Sequence, residues 1–136
     1  MIKSIMADEN FLSKKSIPAT KDDLNVVNDL MDTLEYHSDN CVGMAANMIG
    51  ISKNISVFRL GNTSVPMINP VIISKKNIYE TSEGCLSLTG ERPTQRYQNI
   101  KVKYLDINFI EHTQDFSDWI AQIIQHEIDH CNGIII

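Results

Sequence analysis

The sequence predicts an α+β domain, because two helical patterns far apart in the chain are separated by strand-like segments and no regular strand–helix–strand alternation links them. The first helical pattern covers residues 21–37, and the second carries His126-Glu127-Ile128-Asp129-His130. Between them, residues 97–107 form the clearest strand: Ile100, Val102 and Tyr104 alternate with Lys101 and Lys103, one face apolar and the other charged. With 136 residues, 43% hydrophobic and 21% charged, the chain fits a single domain over 1–136 that buries about two-thirds of its unfolded surface.

Composition narrows the classes of function. A formal net charge of −5 argues against direct nucleic-acid binding, whose footprint is a basic face. Three cysteines, an odd number, and an N-terminal stretch with Asp8 and Glu9 but no apolar core segment argue against secretion and for reduced thiols in the cytoplasm. No apolar run approaches the roughly 18–20 residues of a membrane span, so no membrane partner is expected.

Residues 1–19 carry a weak signal, with Pro18 marking the approach to a helix. Thr20 is an N-cap with Asp23 three positions on, and Leu24, Val27, Leu30, Met31 and Leu34 recur at helical spacing. This amphipathic helix packs one face on a sheet, and His37 lies at its solvated end. Ser38-Asp39-Asn40 breaks it and leads into residues 41–50, a run dense in small side chains that lets backbone approach a ligand or another element closely, with tight core packing the reading favoured by the pattern alone. Residues 54–60 read as a strand, Gly61-Asn62 as a turn and 65–74 as a second strand, partly at an edge or irregular because of Pro66 and Pro70. Residues 79–87 are extended. His112 falls in a polar stretch read as exposed loop. Ser117 or Asp118 caps the last helix, Ile120, Ile124 and Ile128 share its buried face, Gly133 ends it, and Ile134-Ile135-Ile136 reads as a short strand.

On that last helix His126 and His130 lie four positions apart on one face, so both imidazoles can bind one metal while Glu127 stands beside it as a proton-transfer group. A catalytic site of this kind uses three protein ligands and leaves a position for water. The six residues after His130 include no Glu, Asp or His, and Cys131 is turned about 100° from the histidine face. An upstream ligand is therefore needed, and Glu83-Gly84-Cys85-Leu86-Ser87 offers one.

Glu83-Gly84-Cys85-Leu86-Ser87, followed about forty residues later by Gln125-His126-Glu127-Ile128-Asp129-His130, resembles the second and third motifs of the peptide deformylases. The family's first motif, Gly-x-Gly-x-Ala-Ala-x-Gln, resembles Cys41-Val42-Gly43-Met44-Ala45-Ala46-Asn47-Met48. Cys41 stands where the family has its first glycine and Met48 where it has glutamine. The likeness runs from about residue 21 to 136.

The resemblance implies small antiparallel sheets around a central metal-binding helix. It implies metal ligands Cys85, His126 and His130, and removal of the N-formyl group from N-formylmethionyl peptides. One divalent metal is expected, Fe2+ by resemblance, with Zn2+, Ni2+ and Co2+ compatible with the same ligands. The metal would lower the pKa of water and polarise the carbonyl under attack, while Glu127 moves the proton. The Leu86 backbone N–H would hold the oxyanion, Gly43 and Arg92 would line the peptide cleft, and Glu83 would hydrogen-bond a ligand histidine. Cys41 and Cys131 are read as packing residues.

Met48 cannot donate a hydrogen bond, and loss of one oxyanion donor costs about 10²–10³ in kcat. Three readings follow: a weakened enzyme, rescue by Asn47, or a changed substrate. Weakened activity is favoured, since a side chain one residue along points elsewhere. The resemblance also leads one to expect no stable ribosome docking through a C-terminal tail. The competing reading is a catalytically degenerate metal- and peptide-binding protein, which Glu127 opposes.

Overall fold

The structure, a computed structural model describing residues 1–136, consists of three α-helices and one antiparallel sheet. The helices are α1 (Glu9–Leu12), α2 (Leu24–Tyr36) and α3 (Asp118–Cys131). The strands are β1 (Gly43–Ala45), β2 (Ile55–Leu60), β3 (Thr63–Cys85), β4 (Leu88–Leu105) and β5 (Glu111–Ser117), hydrogen-bonded in that order. The α+β class is as expected. The several small sheets join into one ladder because β3 is long enough to change partners: it pairs with β2 up to Ile68 and with β4 from Ile68 to Cys85.

That change of partner accounts for the prolines. Pro66 lies opposite Val57 of β2 before pairing with β4 begins, and Pro70 falls in the register break between Ile68 and Val71. Neither interrupts a strand bonded on both sides. Asn69 takes a positive φ of 52° in the break. Its side chain closes a two-way link with Ala19, accepting from that N–H at 2.8 Å and donating to its carbonyl at 3.1 Å.

The sheet separates two apolar clusters, and β2 serves both. Ile55 and Val57 face Val27, Leu30 and Leu34 of α2 together with Met44 and Met48. Phe58, next in the chain, faces Ile100, Val102 and Tyr104 of β4 and Ile124 and Ile128 of α3. A strand buried on both faces loses the alternation of a half-exposed one, which is why Ile55-Ser56-Val57-Phe58 is a run without polar breaks other than a serine. Each large aliphatic side chain so buried contributes about 1.5–3 kcal/mol before the ordering entropy is set against it.

α2 starts as its sequence predicts. Thr20 Oγ1 accepts from the Asp22 N–H at 3.3 Å and Asp23 Oδ2 accepts from the Thr20 N–H at 2.9 Å, with one 3₁₀ turn, Lys21–Asp23, before the α-helix. α3 departs from expectation at its start. Ser117 occupies the N-cap position without a side-chain bond, and Asp118 turns the chain from β5 into the helix at φ 55°. Its carboxylate stands at the positive end of the helix dipole instead of capping a single N–H.

Two further expectations are corrected, and the weakly patterned N-terminal region gains an element. Residues 106–117 are not simply loop: β5 pairs along β4, with His112 opposite Tyr104. His112 stacks on the Tyr104 ring and lies 2.7 Å from Asp106. β5 is an edge strand whose one apolar residue, Phe116, packs edge-to-face on Phe58, so it shows no apolar period. Residues 134–136 form no strand, because the Ile134 N–H already closes the helix end on Asp129 O at 2.9 Å. The weakly patterned N-terminal region contains α1, whose Leu12 is fully buried. No helix is long and apolar enough to cross a membrane.

Gly133 is fixed twice over. Its φ is +76°, and a Cβ there would sit 2.5 Å from Ser13 O, because the chain leaving α1 crosses the end of α3. Gly133→Ala should therefore destabilise the protein by about 2 kcal/mol or more, read as a lower denaturation midpoint at unchanged denaturant slope.

Candidate active site

Two stripes of side chains meet between α3 and β3. On α3, Gln122, His126 and His130 recur every four residues. On β3, Tyr79, Glu83 and Cys85 share the face turned toward them, Cys85 being the last residue before the two-residue turn that pairs it with Leu88. The Cys85 thiol and the ring nitrogens of His126 and His130 all lie within 4.8 Å of one another. Cys85 Sγ is 3.3 Å from His130 Nε2, which is 3.2 Å from His126 Nε2.

This is a donor set that fits a metal. The His126 Nδ1–H donates to Glu83 Oε1 at 2.8 Å, which turns Nε2 toward the other two donors. Three nitrogen and sulfur donors converging without a carboxylate among them suit a borderline or soft divalent cation. Burial opposes charge on both rings but with opposite outcomes. At His126, hydrogen bonds to Cys85 and Glu83 and the Glu127 charge outweigh it and raise the pKa to about 10, so a metal binding at Nε2 would displace a proton from that nitrogen. At His130, burial and the neighbouring His126 charge lower it to about 3, so that ring is neutral and available as a ligand.

Glu83 anchors the arrangement. Arg96, on β4, donates to it through Nη2 at 2.7 Å and Nε at 3.0 Å and reaches Asp129 through Nη1 at 2.6 Å. Gln122 Nε2 adds a bond at 2.9 Å. Burial alone would raise the Glu83 pKa, but hydrogen bonds from His126 and Arg96 and the Arg96 charge hold it at about 2. The docking of α3 itself is clamped by Gln125, whose amide accepts from the Tyr97 N–H at 2.9 Å and donates to its carbonyl at 2.8 Å.

Glu127 points from the other side. It is buried, its Oε1 has no hydrogen-bond partner, and desolvation raises its pKa to about 7. Gly43 makes room for it: a Cβ there would lie 2.9 Å from Glu127 Oε2 and 2.7 Å from Ile123 Cγ2.

Glu127 opens on a cavity of about 530 Å³. Gly43, Met48, Cys85, Leu86, Glu127 and His126 all line it, and Trp119 stands at its wall with 58% of its surface exposed. His130 lies behind, fully buried. Arg92 is not brought to this wall. It lies across the hairpin from Glu83, 3.5 Å from Glu9 at the surface. Cys41 does more than pack: it lines the cavity and donates its thiol proton to Gly43 O at 3.0 Å, with burial and the Glu127 charge raising its pKa to about 12. Cys131 is buried as expected.

Met48 is buried in the α2 cluster, in a 3₁₀ turn (Ala46–Ile49), and its Sδ accepts from the Ala45 N–H at 3.4 Å. Asn47 does not face the cavity. Its amide donates to His130 O at 2.8 Å. Arg96, Gln122, Asp129 and Trp119 were not singled out by the sequence. Arg96 was the one with a signal, since it falls in step with Ile100, Val102 and Tyr104 on the inward face of β4.

An α+β fold that sets paired helix histidines and a buried glutamate against a hairpin cysteine, over an open cavity, has the make-up of a metallohydrolase. A family model for polypeptide deformylase matches residues 2–136. The chain is 57% identical to a peptide deformylase of Clostridium beijerinckii, across 100% of both chains. The solved peptide deformylase of Thermotoga maritima superposes with a TM-score of 0.89 at 32% identity, covering 99% of this chain and 95% of that one. A Met-Ala-Ser-bound class I type b peptide deformylase from Acinetobacter baumannii superposes at 0.88 with 27% identity, covering 99% and 97%. This chain belongs to the polypeptide deformylase family and is a hydrolase of that kind.

The depressed Glu83 pKa makes a prediction for the metal-free protein. Folding favours the ionised carboxylate, so its stabilisation is present above the ordinary value of 4.5 and is lost as pH falls toward about 2. Denaturant titrations across that range should show stability falling, and Glu83→Gln should flatten the slope while lowering stability at neutral pH.

Proposed function

We propose that this chain hydrolyses the N-formyl group of N-formylmethionyl peptides in the cytoplasm, with Cys85, His126 and His130 holding one divalent metal and Glu127 as the proton carrier. The observation that carries this reading is the buried, half-unpartnered Glu127 carboxylate beside the converging cysteine and histidines, open to a cavity. The Acinetobacter baumannii relative with Met-Ala-Ser bound supports a peptide in the corresponding cavity here.

When bound, the metal polarises the formyl carbonyl and makes water acidic enough to attack at neutral pH. Fe2+ is the proposed metal, and the same ligands accept Zn2+, Ni2+ or Co2+. Glu127, with a pKa near 7, takes the proton from the attacking water as its oxygen bonds to the formyl carbon. It returns that proton to the peptide nitrogen as the C–N bond breaks, giving formate and a free methionine amine. Desolvation suits it to both steps, because neither protonation state is far from the other. The Leu86 N–H, on the cavity wall, donates to the developing oxyanion. Gly43 keeps the strand backbone close enough to flank both substrate and Glu127. Arg92 is a candidate contact for the peptide further from the reacting bond.

The weak point is Met48, which offers the oxyanion no donor. Asn47 does not replace it, since its amide is turned to His130 O and it is not among the residues that line the cavity. A glutamine at 48 could accept from Ala45 as the thioether does and still present a donor to the cavity. Met48→Gln should raise kcat up to about 10²-fold with little change in KM; an unchanged or lower kcat refutes the missing-donor account.

The deciding assay is kcat/KM for a formyl-methionyl tripeptide, using protein loaded anaerobically with ferrous iron. Glu127→Gln should retain the metal and lose about 10²–10⁴ in rate. Equal rates in the two proteins, with metal bound in both, would leave a metal- and peptide-binding protein without catalysis.

A further inference from the structure

Gln122 lies on the cavity wall, and both ends of its amide are engaged by residues of β3. Its Nε2 donates to Glu83 Oε2 at 2.9 Å, and its Oε1 accepts from the Tyr79 hydroxyl at 3.2 Å. An ionised carboxylate only accepts, so the amide must present nitrogen to Glu83. The Tyr79 hydroxyl favours that orientation, since it donates to the oxygen left on the far side. Arg96 lies beside Glu83 from β4 and bonds both oxygens, which leaves the carboxylate free to tilt about the guanidinium edge. The Gln122 bond comes from α3, the helix that carries His126, and fixes the tilt. Glu83 Oε1 then stays on the His126 Nδ1–H at 2.8 Å, and the opposite nitrogen of that ring stays aimed at Cys85 and His130.

We propose that Gln122, oriented by Tyr79, is a positioning residue that holds Glu83 in the plane that aims His126 at the metal. The inference rests on the reading of Cys85, His126 and His130 as metal ligands. Gln122 acts through Glu83 and touches neither metal nor peptide with its polar atoms, so its loss shows in metal retention and kcat rather than in KM.

The test is the rate at which zinc-loaded protein gives up its metal to a chromogenic chelator at neutral pH and at a temperature well below unfolding. Partners of ligand histidines are worth about 10–100-fold in metal affinity. One bond further out, Gln122→Met should release zinc about 3–10-fold faster, with kcat lowered and KM for the formyl-methionyl tripeptide within about twofold of wild type. Tyr79→Phe should move release the same way by less, and it keeps the test usable if Gln122→Met fails to fold. In a Glu83→Gln background, Gln122→Met should add nothing. Wild-type release from both single variants overturns the inference, as does a rise in KM with release unchanged, which would make Gln122 a peptide contact. Wild-type protein that retains no zinc overturns the metal-site reading and this inference together.

Discussion

The structure depends on one buried carboxylate. Glu83 joins three elements at a single point: its own strand β3, Arg96 from β4, and His126 and Gln122 from α3. An ion pair of this kind gains stability only if desolvation is offset by full hydrogen bonding, and here both oxygens are engaged and Arg96 spends a second arm on Asp129 of the helix. Removing Arg96 would leave Glu83 to His126 and Gln122, and removing Glu83 would leave Arg96 only Asp129. The metal-binding geometry and the docking of α3 are therefore not separate features, because the bond that orients His126 is part of the cluster that holds the helix to the sheet.

The second constraint is space. Glu127 is buried almost completely although it borders the cavity, and such burial requires backbone to come within contact distance of a carboxylate. Gly43 meets that need by having no side chain, and the neighbouring run Ala45-Ala46 continues into a tight turn rather than a longer strand. The same close packing puts Met48 in the α2 cluster, so one residue belongs both to the core and to the cavity wall. Its replacement for a polar residue gains apolar burial on one side at the expense of a donor on the other.

What could be read from the sequence followed from local period and motif. The histidine pair, Glu127, the capping box at Thr20 and the alternation in residues 100–104 are properties of short windows, and each is found where it was expected. The expectation that Glu83 bonds one of the paired helix histidines also holds. What escaped depends on partners distant in the chain. Arg96 sits on the inward parity of β4, but a charge at such a position makes sense only once Glu83 and Asp129 are brought to it. β5 turns only Phe116 to the core and so has no repeat to give it a period, and Gln122 reads as an ordinary polar residue in a helix. Arg92 stands at the spacing the family motif suggests, whereas the register of the β3–β4 hairpin directs it toward Glu9 and away from the cavity wall.

Cys85 and His130 touch across 45 positions of sequence, with a long hairpin, an edge strand and a helix between them. No short stretch of the unfolded chain can present the three donors together, so a metal held by all of them acts as a cross-link that only the assembled fold can accept. Such a link restricts nothing in the unfolded chain and favours the folded one in proportion to how tightly it is held. The content of a metal held there would thus report on whether β3 and α3 have found each other.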